Sequence, residues 1–486
     1  MDRSSSLSQH KFIKGKFITP LNNSLMMELG KENSWFHGRL PEYIWLALIL
    51  RYYGREEGLL KCRSILQILR KASPDFYSPK LSKILALDSK KQQKLYIDFK
   101  KHIDIAPFSA LTVIFTHSQY PDFSTAFLTS QSPEERIEKI NDVISETSEH
   151  QSDLSTDVRF LVLYFHLLSG KFHMPRETLE LLLKYPTLSH QNEEMRMIRP
   201  MVRAMEIATP DEVDPINEQY LFTFWDGVSR MSDCNLFYID MGSDSPDTKE
   251  FMKQVKAQLQ YYTGLFQAVC PLENKMLVLL GIATYSYKRI CEVVEHNLFN
   301  TIAGRSVVRV LIENYIMMKY LIKHESEHED IWTEYQYYGI GQYKLISERY
   351  RENGKDMPNS HVMYDYIDAL VGEYKNKEFI DMDTSYFDKM NVREKAINVG
   401  EKELFGLYYD YDSAFEHGLW GAIRESSLIK CDVPSHQYHC LPDIENNQKL
   451  KSIWFDCMEA MNNILNVLNE VYGLPEHLLN EDMDNE

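Results

Sequence analysis

Ser306-Val-Val-Arg309-Val-Leu-Ile-Glu313-Asn-Tyr-Ile-Met-Met318 places two opposite charges four residues apart inside an otherwise apolar run. A spacing of four puts both on one face of a helix. The apolar neighbours on either side predict that this face meets protein rather than water. A buried Arg and a buried Glu each need a partner. A second polar pair stands about a hundred residues on, in Leu407-Tyr-Tyr-Asp-Tyr-Asp-Ser-Ala-Phe-Glu-His-Gly-Leu-Trp420. There Asp410, Ser413 and His417 recur at i, i+3 and i+7, one stripe of a helix.

Both stretches sit within long helical patterns. Helices are expected over 250–269, 272–299, 302–323, 328–352, 359–376, 395–428 (interrupted) and 447–472. Such lengths with short connections suit an antiparallel bundle. The N-terminal half instead reads as shorter helices. Tyr43-Ile-Trp-Leu-Ala-Leu-Ile-Leu stops near Gly54, Leu59 to Arg70 follows, Asp157 to Leu168 ends at Gly170, and Pro175 opens the next. Ser132-Pro-Glu-Glu135 is a helix start with a cap, a first-position proline and a glutamate three residues after the cap. The chain therefore reads as all-α: a repeat-like helical array over 1–208, without a strict period, an acidic turn-rich linker over 209–249, a helical bundle over 250–476 and an acidic tail over 477–486.

Composition agrees and narrows the function. The 486 residues are 44% hydrophobic, enough for sizeable cores, and contain only 20 Gly and 18 Pro. Fifty-three Lys+Arg against 71 Asp+Glu give a net charge of −18, which opposes non-specific nucleic-acid binding while leaving room for a local RNA site. Seven scattered cysteines predict reduced thiols and a cytoplasmic home. No apolar leader or membrane-length run stands in the sequence, so no membrane association is expected.

The pairs carry the candidate chemistry. Arg309 is suited to an anionic group, with Glu313 orienting a partner or accepting a proton. The plainer reading is a helix ion pair worth about 0.3–0.5 kcal/mol when exposed. Ser413 and His417 put a hydroxyl beside a group that exchanges protons near neutrality; the plainer reading is a buried histidine satisfied within the bundle. Ser-x-x-x-His on one helix is a poor nucleophile geometry, and no nucleophile elbow is present. Glu325-x-x-His328 has the spacing of a di-metal bundle ligand pair, but in one copy only it reads as a solvated helix start. Cys431, His436, His439 and Cys440 stand close together, yet their spacing matches no common zinc module. No metal is expected, with zinc the alternative for two thiols and two imidazoles in one loop. No phosphate-cradling or dinucleotide motif is present, so no cofactor is expected.

Residues 276–420 resemble a bacterial domain family of unknown function, all-helical and grouped with the HEPN-like bundles. Its members pair an Arg-x-x-x-Glu helix, here Arg309 to Glu313 after Gly304-Arg305-Ser306, with a later Ser-x-x-x-His helix, here Ser413 to His417. The segment Leu40-Pro-Glu-Tyr-Ile-Trp-Leu-Ala-Leu-Ile-Leu50 looks like the start of helical regions that accompany such domains. The resemblance implies either a metal-independent ribonuclease of toxin–antitoxin or antiphage systems, or an inactive binding module. Dimerisation through the C-terminal bundle is part of the same implication. The nuclease signature, Arg followed four to six residues later by His, is missing near His417. Arg159-x6-His166 approximates it, but the apolar residues between them read as a helix leaving both at the edge of a core face. Under the nuclease reading His417 is the acid or base at a ribose 2′-hydroxyl, Arg309 stabilises the phosphorane charge, and Glu313 and Ser413 hold the geometry. The expectation is a defence-associated effector that cleaves RNA. The alternative is a non-enzymatic protein-binding module in which the four polar residues are structural.

Overall fold

A computed structural model of the chain describes residues 6–20, 23, 34–168, 170, 176–207, 215–241, 246–269, 272–353, 360–373 and 380–479. Pro175, the turn at 209–214, Gly242–Ser245, Cys270, residues 374–376 and the acidic tail past 479 lie outside these. The fold is mostly all-α, with helix over about 69% of the chain and only small sheets. No helix among the described residues is long and apolar enough to cross a membrane.

The chain divides into two compact units. The first holds residues 1–237 together with 430–439; the second holds 238–429 and 440–486.

In the first unit, α1 (Leu40–Tyr53) is buried along Leu40 to Leu50, as a predominantly apolar sequence requires, with the one carboxylate, Glu42, satisfied by the backbone N and Oγ of Ser82. Gly54, at φ 76°, ends it in a conformation that favours glycine, and α2 (Arg55–Ala72) turns back onto α1. A Cβ on Gly58 would sit 2.9 Å from the Leu50 Cα, so the two backbones meet closely there. Helix α3 (Pro133–Ser148) starts with the expected capping box: Ser132 Oγ accepts from Glu135 N, and Glu135 accepts from Ser132 N. Helices α4 (Asp153–Leu168), α5 (Met195–Ile207) and α6 (Glu218–Arg230) add to one core, in which α6 buries Tyr220, Phe224 and Trp225.

One expectation is corrected here. Arg159 and His166 do not stand at an edge: both are fully buried. Arg159 lies over the Trp35 ring at 4.4 Å, with Nε 3.5 Å from Glu206, which also pairs with Arg39. Burial pulls the Arg159 guanidinium down to about 10. A stacked ring and a shared carboxylate are what make a buried guanidinium tolerable at this position.

In the second unit the principal helices are α7 (Lys249–Val269), α8 (Asn274–Glu295), α9 (Ile302–His324), α10 (Ile331–Asn353), α11 (Val392–Asn398), α12 (Asp410–Glu416), α13 (Trp420–Ser426) and α14 (Trp454–Tyr472). Helix α9 is the central one, packed against α14, α8, α11 and α12. Thr301 caps it by accepting from Gly304 N at 3.1 Å. Gly304 permits a close approach, since a Cβ there would fall 2.3 Å from the Leu298 carbonyl oxygen. The interruption expected within 395–428 is a π-helical turn at Phe405–Tyr409 leading into α12, then a break at Gly418 (φ 57°) before α13.

Candidate functional site

Three of the four residues of the expected polar pairs, Arg309, Glu313 and Ser413, meet where α12 crosses α9. Arg309 donates from Nε to Ser413 Oγ at 3.0 Å and from Nη2 to Tyr409 Oη at 2.6 Å. Its guanidinium stacks over the Tyr409 ring at 4.6 Å. Glu313 accepts from Tyr386 Oη at 2.6 Å and from Tyr409 Oη at 3.5 Å, with Arg309 Nη2 3.7 Å away. The π-helical turn supplies Tyr409, four residues before Ser413, so that both face Arg309.

Electrostatics explain who donates. Burial, then the Glu313 carboxylate, push the Tyr386 and Tyr409 phenols above their ordinary range. Both phenols therefore stay protonated and donate to a carboxylate that only accepts. Arg309 and Glu313 are about one-fifth exposed, at 21% and 23%. Two of the three guanidinium nitrogens are engaged, and no described residue accepts from Nη1.

His417 is set apart. It caps the C-terminus of α12, is exposed, and makes no side-chain hydrogen bond among the described residues. Arg309, Glu313 and Ser413 are thus gathered around two tyrosines, with His417 one turn beyond on the outside. Asp410, the remaining member of the sequence stripe, pairs with Arg393 at 2.9 Å on the surface. Glu325 accepts from Lys275 and Trp332, while His328 pairs with Glu334, so these two residues do not act together.

Three features were missed in the sequence. Asp412 is buried at 4% exposure, and burial raises its carboxyl to about 7 against the opposing pull of Arg305. Lys395, also buried, lies 3.7 Å over the Tyr320 ring beside Phe387 and Tyr386, and burial lowers it to about 8. Neither has a sequence signature, because each depends on which helices surround it. The third is a partner for the Cys/His loop. Cys431, His436 and His439 gather with Cys234 rather than with Cys440, all four ligand atoms lying within 4.8 Å of one another. A lone cysteine almost two hundred residues upstream gives no local signal.

Residues 276–435 match a family of unknown function (DUF5677), a segment that spans Arg309, Glu313, Ser413 and His417 and ends before His436. An uncharacterised domain is what the resemblance described above implied for this region. No curated protein and no solved structure matches the chain.

Proposed function

We propose that the second unit is a non-enzymatic protein-binding module, with Arg309, Glu313 and Ser413 as a structural network that fixes α12 against α9. The observation that carries this reading is the division of labour around α12. The polar trio is tied to internal partners, while the apolar side chains just beyond it point outward. Trp420 is 67% exposed, and Leu407, Tyr411, Leu419 and Ile423 are exposed with it. Tyr411 Oη donates to Glu425 at 2.6 Å, which holds the Leu407/Tyr411 stripe beside α13. Five large apolar or aromatic side chains exposed between residues 407 and 423 favour an interaction surface.

Charge selects the partner. Between residues 401 and 429, apart from the buried Asp412, the chain carries five carboxylates (Glu401, Glu403, Asp410, Glu416, Glu425) and two cations, Lys402 and Arg424, with Glu401 paired to Lys319 and Asp410 to Arg393. That acidic excess disfavours phosphate chains and favours a polypeptide segment carrying Lys or Arg beside apolar residues. The same acidity argues against a second copy of this surface as occupant. The test is selection of peptides from a charge-balanced library by the full chain, followed by titration of the winners. Basic amphipathic peptides are expected to be selected, and Trp420→Ala, at an exposed position, is expected to weaken them about tenfold or more. Selection without charge preference, or affinities indifferent to Trp420→Ala, would refute the reading.

A second reading is a HEPN-like, bacterial, defence-associated effector that cleaves RNA in the cytoplasm. His417 favours it, being exposed and unengaged one turn from Ser413, together with the unengaged Nη1 of Arg309. In the first unit a cleft of about 620 Å³ lined by Arg196, Arg199 and Arg203 is a place where RNA phosphates would meet positive charge. Growth and total-RNA integrity in cells expressing wild type and His417→Ala decide this one. RNA fragments that vanish with His417→Ala support cleavage; intact RNA in both cases leaves the binding module.

A further inference from the structure

We propose that Cys234, Cys431, His436 and His439 form a closed, structural zinc site in the first unit. The strand pair β1 (Leu236–Phe237) and β2 (Leu428–Cys431) is antiparallel, with Leu236 opposite Cys431 and Phe237 opposite Lys430. Cys234, two residues before Leu236, thereby comes onto the same face as Cys431 as its diagonal neighbour. Two further bonds clamp the segments together: Asp432 N donates to the Asn235 carbonyl at 3.2 Å, and Asn235 Nδ2 donates to Asp432 Oδ1 at 2.8 Å.

The imidazoles arrive by a tight turn. His439 N donates to the His436 carbonyl at 3.2 Å, and Cys431 N donates to the His439 carbonyl at 3.0 Å. The two central residues of that turn, Gln437 and Tyr438, are both left-handed at φ 52°. Neither is glycine, so this backbone is strained, and strain of this kind persists where the surroundings demand it. Here the demand is that His436 and His439, at the two ends of the turn, face the same point; their rings lie 4.9 Å apart.

The distances suit a zinc ion. Cys234 Sγ is 3.4 Å from His436 Nδ1 and 3.2 Å from His439 Nε2, and Cys431 Sγ is 3.6 Å from His436 Nδ1. A tetrahedral zinc with ordinary bonds to sulfur and nitrogen separates those atoms by about 3.6 Å. Three of the six edges of the required tetrahedron therefore already stand near this length, and all four ligand atoms lie within 4.8 Å of one another. Two thiolates and two imidazoles without a carboxylate select zinc over magnesium or calcium.

A second, independent observation points to a metal. The other nitrogen of His436, Nε2, lies 3.1 Å from the Ser229 carbonyl and 2.9 Å from the Ser232 carbonyl. A carbonyl only accepts, so Nε2 carries the proton, and Nδ1 presents its lone pair to the cysteines. That is the arrangement in which a metal-bound histidine is held. With four protein ligands no position remains open, so the site is structural rather than catalytic. Its place in the chain gives the role. The chain leaves the first unit after Phe237 and re-enters it at Lys430. One ligand stands just before the exit and three just after the return, so the ion would fasten the returning segment to the first unit. Tyr438 Oη to Ser148, His37 Nδ1 to Gln437 and Ser435 Oγ to Asn141 Oδ1 add further polar contacts.

The test uses the full chain, purified under reductant. Metal content is measured by mass spectrometry, and Co²⁺ is then exchanged in for optical spectroscopy. About one zinc per chain is expected, with cobalt bands of a tetrahedral site bearing thiolate charge transfer. Cys234→Ser, at an exposed position, is expected to lower zinc affinity more than about 100-fold, while Cys440→Ser leaves it unchanged. Three results would overturn the proposal: wild type that retains no zinc after reconstitution, loss with Cys440→Ser in place of Cys234→Ser, or a Cys234–Cys431 disulfide that persists under reductant. The wild-type measurement stands whether or not a variant folds.

Discussion

Asp412→Asn should make the protein more stable at pH 8 and change little at pH 4. The carboxyl sits on α12 at 4% exposure. Arg305, its nearest source of positive charge, donates instead to the carbonyls of Lys451 (2.6 Å) and Phe299 (3.4 Å). Asp412 is left without a hydrogen-bonding or ion-pairing partner among the described residues, and Asp456 adds a like charge. Its carboxyl is consequently raised from 3.8 to about 7. Because the folded value exceeds the unfolded one, the folded state holds a proton that the unfolded chain has released between these two pH values. Stability therefore falls as pH rises from about 4 to about 7 and is flat above. At 1.36 kcal/mol per unit, the loss is about 4 kcal/mol at most, and about 2–4 kcal/mol once local relaxation is allowed. Asparagine keeps the shape without the charge and escapes that loss. The assay is urea unfolding of the full chain at pH 4, 6 and 8, read by hydrogen exchange of peptides from α9. A variant gain that grows with pH is expected. A gain independent of pH would mean that the Asp412 carboxyl titrates alike in the folded and unfolded chain, and a variant less stable at pH 8 that it is ionised and held by Arg305; either would refute the reasoning.

Other perturbations test the rest of the second unit. Gly304→Ala should destabilise it by about 2–4 kcal/mol, since the new methyl meets a backbone carbonyl that cannot step aside; thermal melting measures this. Arg309→Met should cost about 1–3 kcal/mol in urea unfolding, through two lost charged hydrogen bonds and a Glu313 left to its tyrosines. Lys395→Met should raise the melting temperature at pH 7 more than at pH 10. The folded-state value of Lys395 lies near 8, below the ordinary 10.5, so the lysine penalises folding increasingly as pH falls between those values. Trp420→Ala should leave the melting temperature within a degree or two of wild type, its ring being solvent-facing.

The helical class was readable because it rests on local pattern. The Ser132–Glu135 box and the apolar periodicity of 302–323 depend on neighbours within one or two turns. The meeting of Arg309 with Ser413 was partly readable, because each pair betrays a shared face, but the crossing of α9 and α12 fixes the partners. The tyrosines that complete the network were not legible. Tyr386 lies in irregular chain, and Tyr409 is aimed by a π-helical turn that has no sequence rule comparable to a cap. Arg159 was misplaced for a related reason. Its charge argued for an edge, and only Trp35 and Glu206, remote in sequence, make its burial tolerable. Cys234 is the extreme case: its role exists only once a strand pairing closes a loop of almost two hundred residues.

The assignment of residues 430–439 to the first unit has a consequence during synthesis. As the chain emerges from the ribosome, the first unit's main body is exposed early yet lacks its final ten-residue segment until the bulk of the second unit has been made. The second unit is likewise incomplete at that moment, because α14, packed on α9, follows after residue 440. Each unit therefore waits on the other's translation. A truncation designed at residue 237 would isolate an unfinished body rather than a domain.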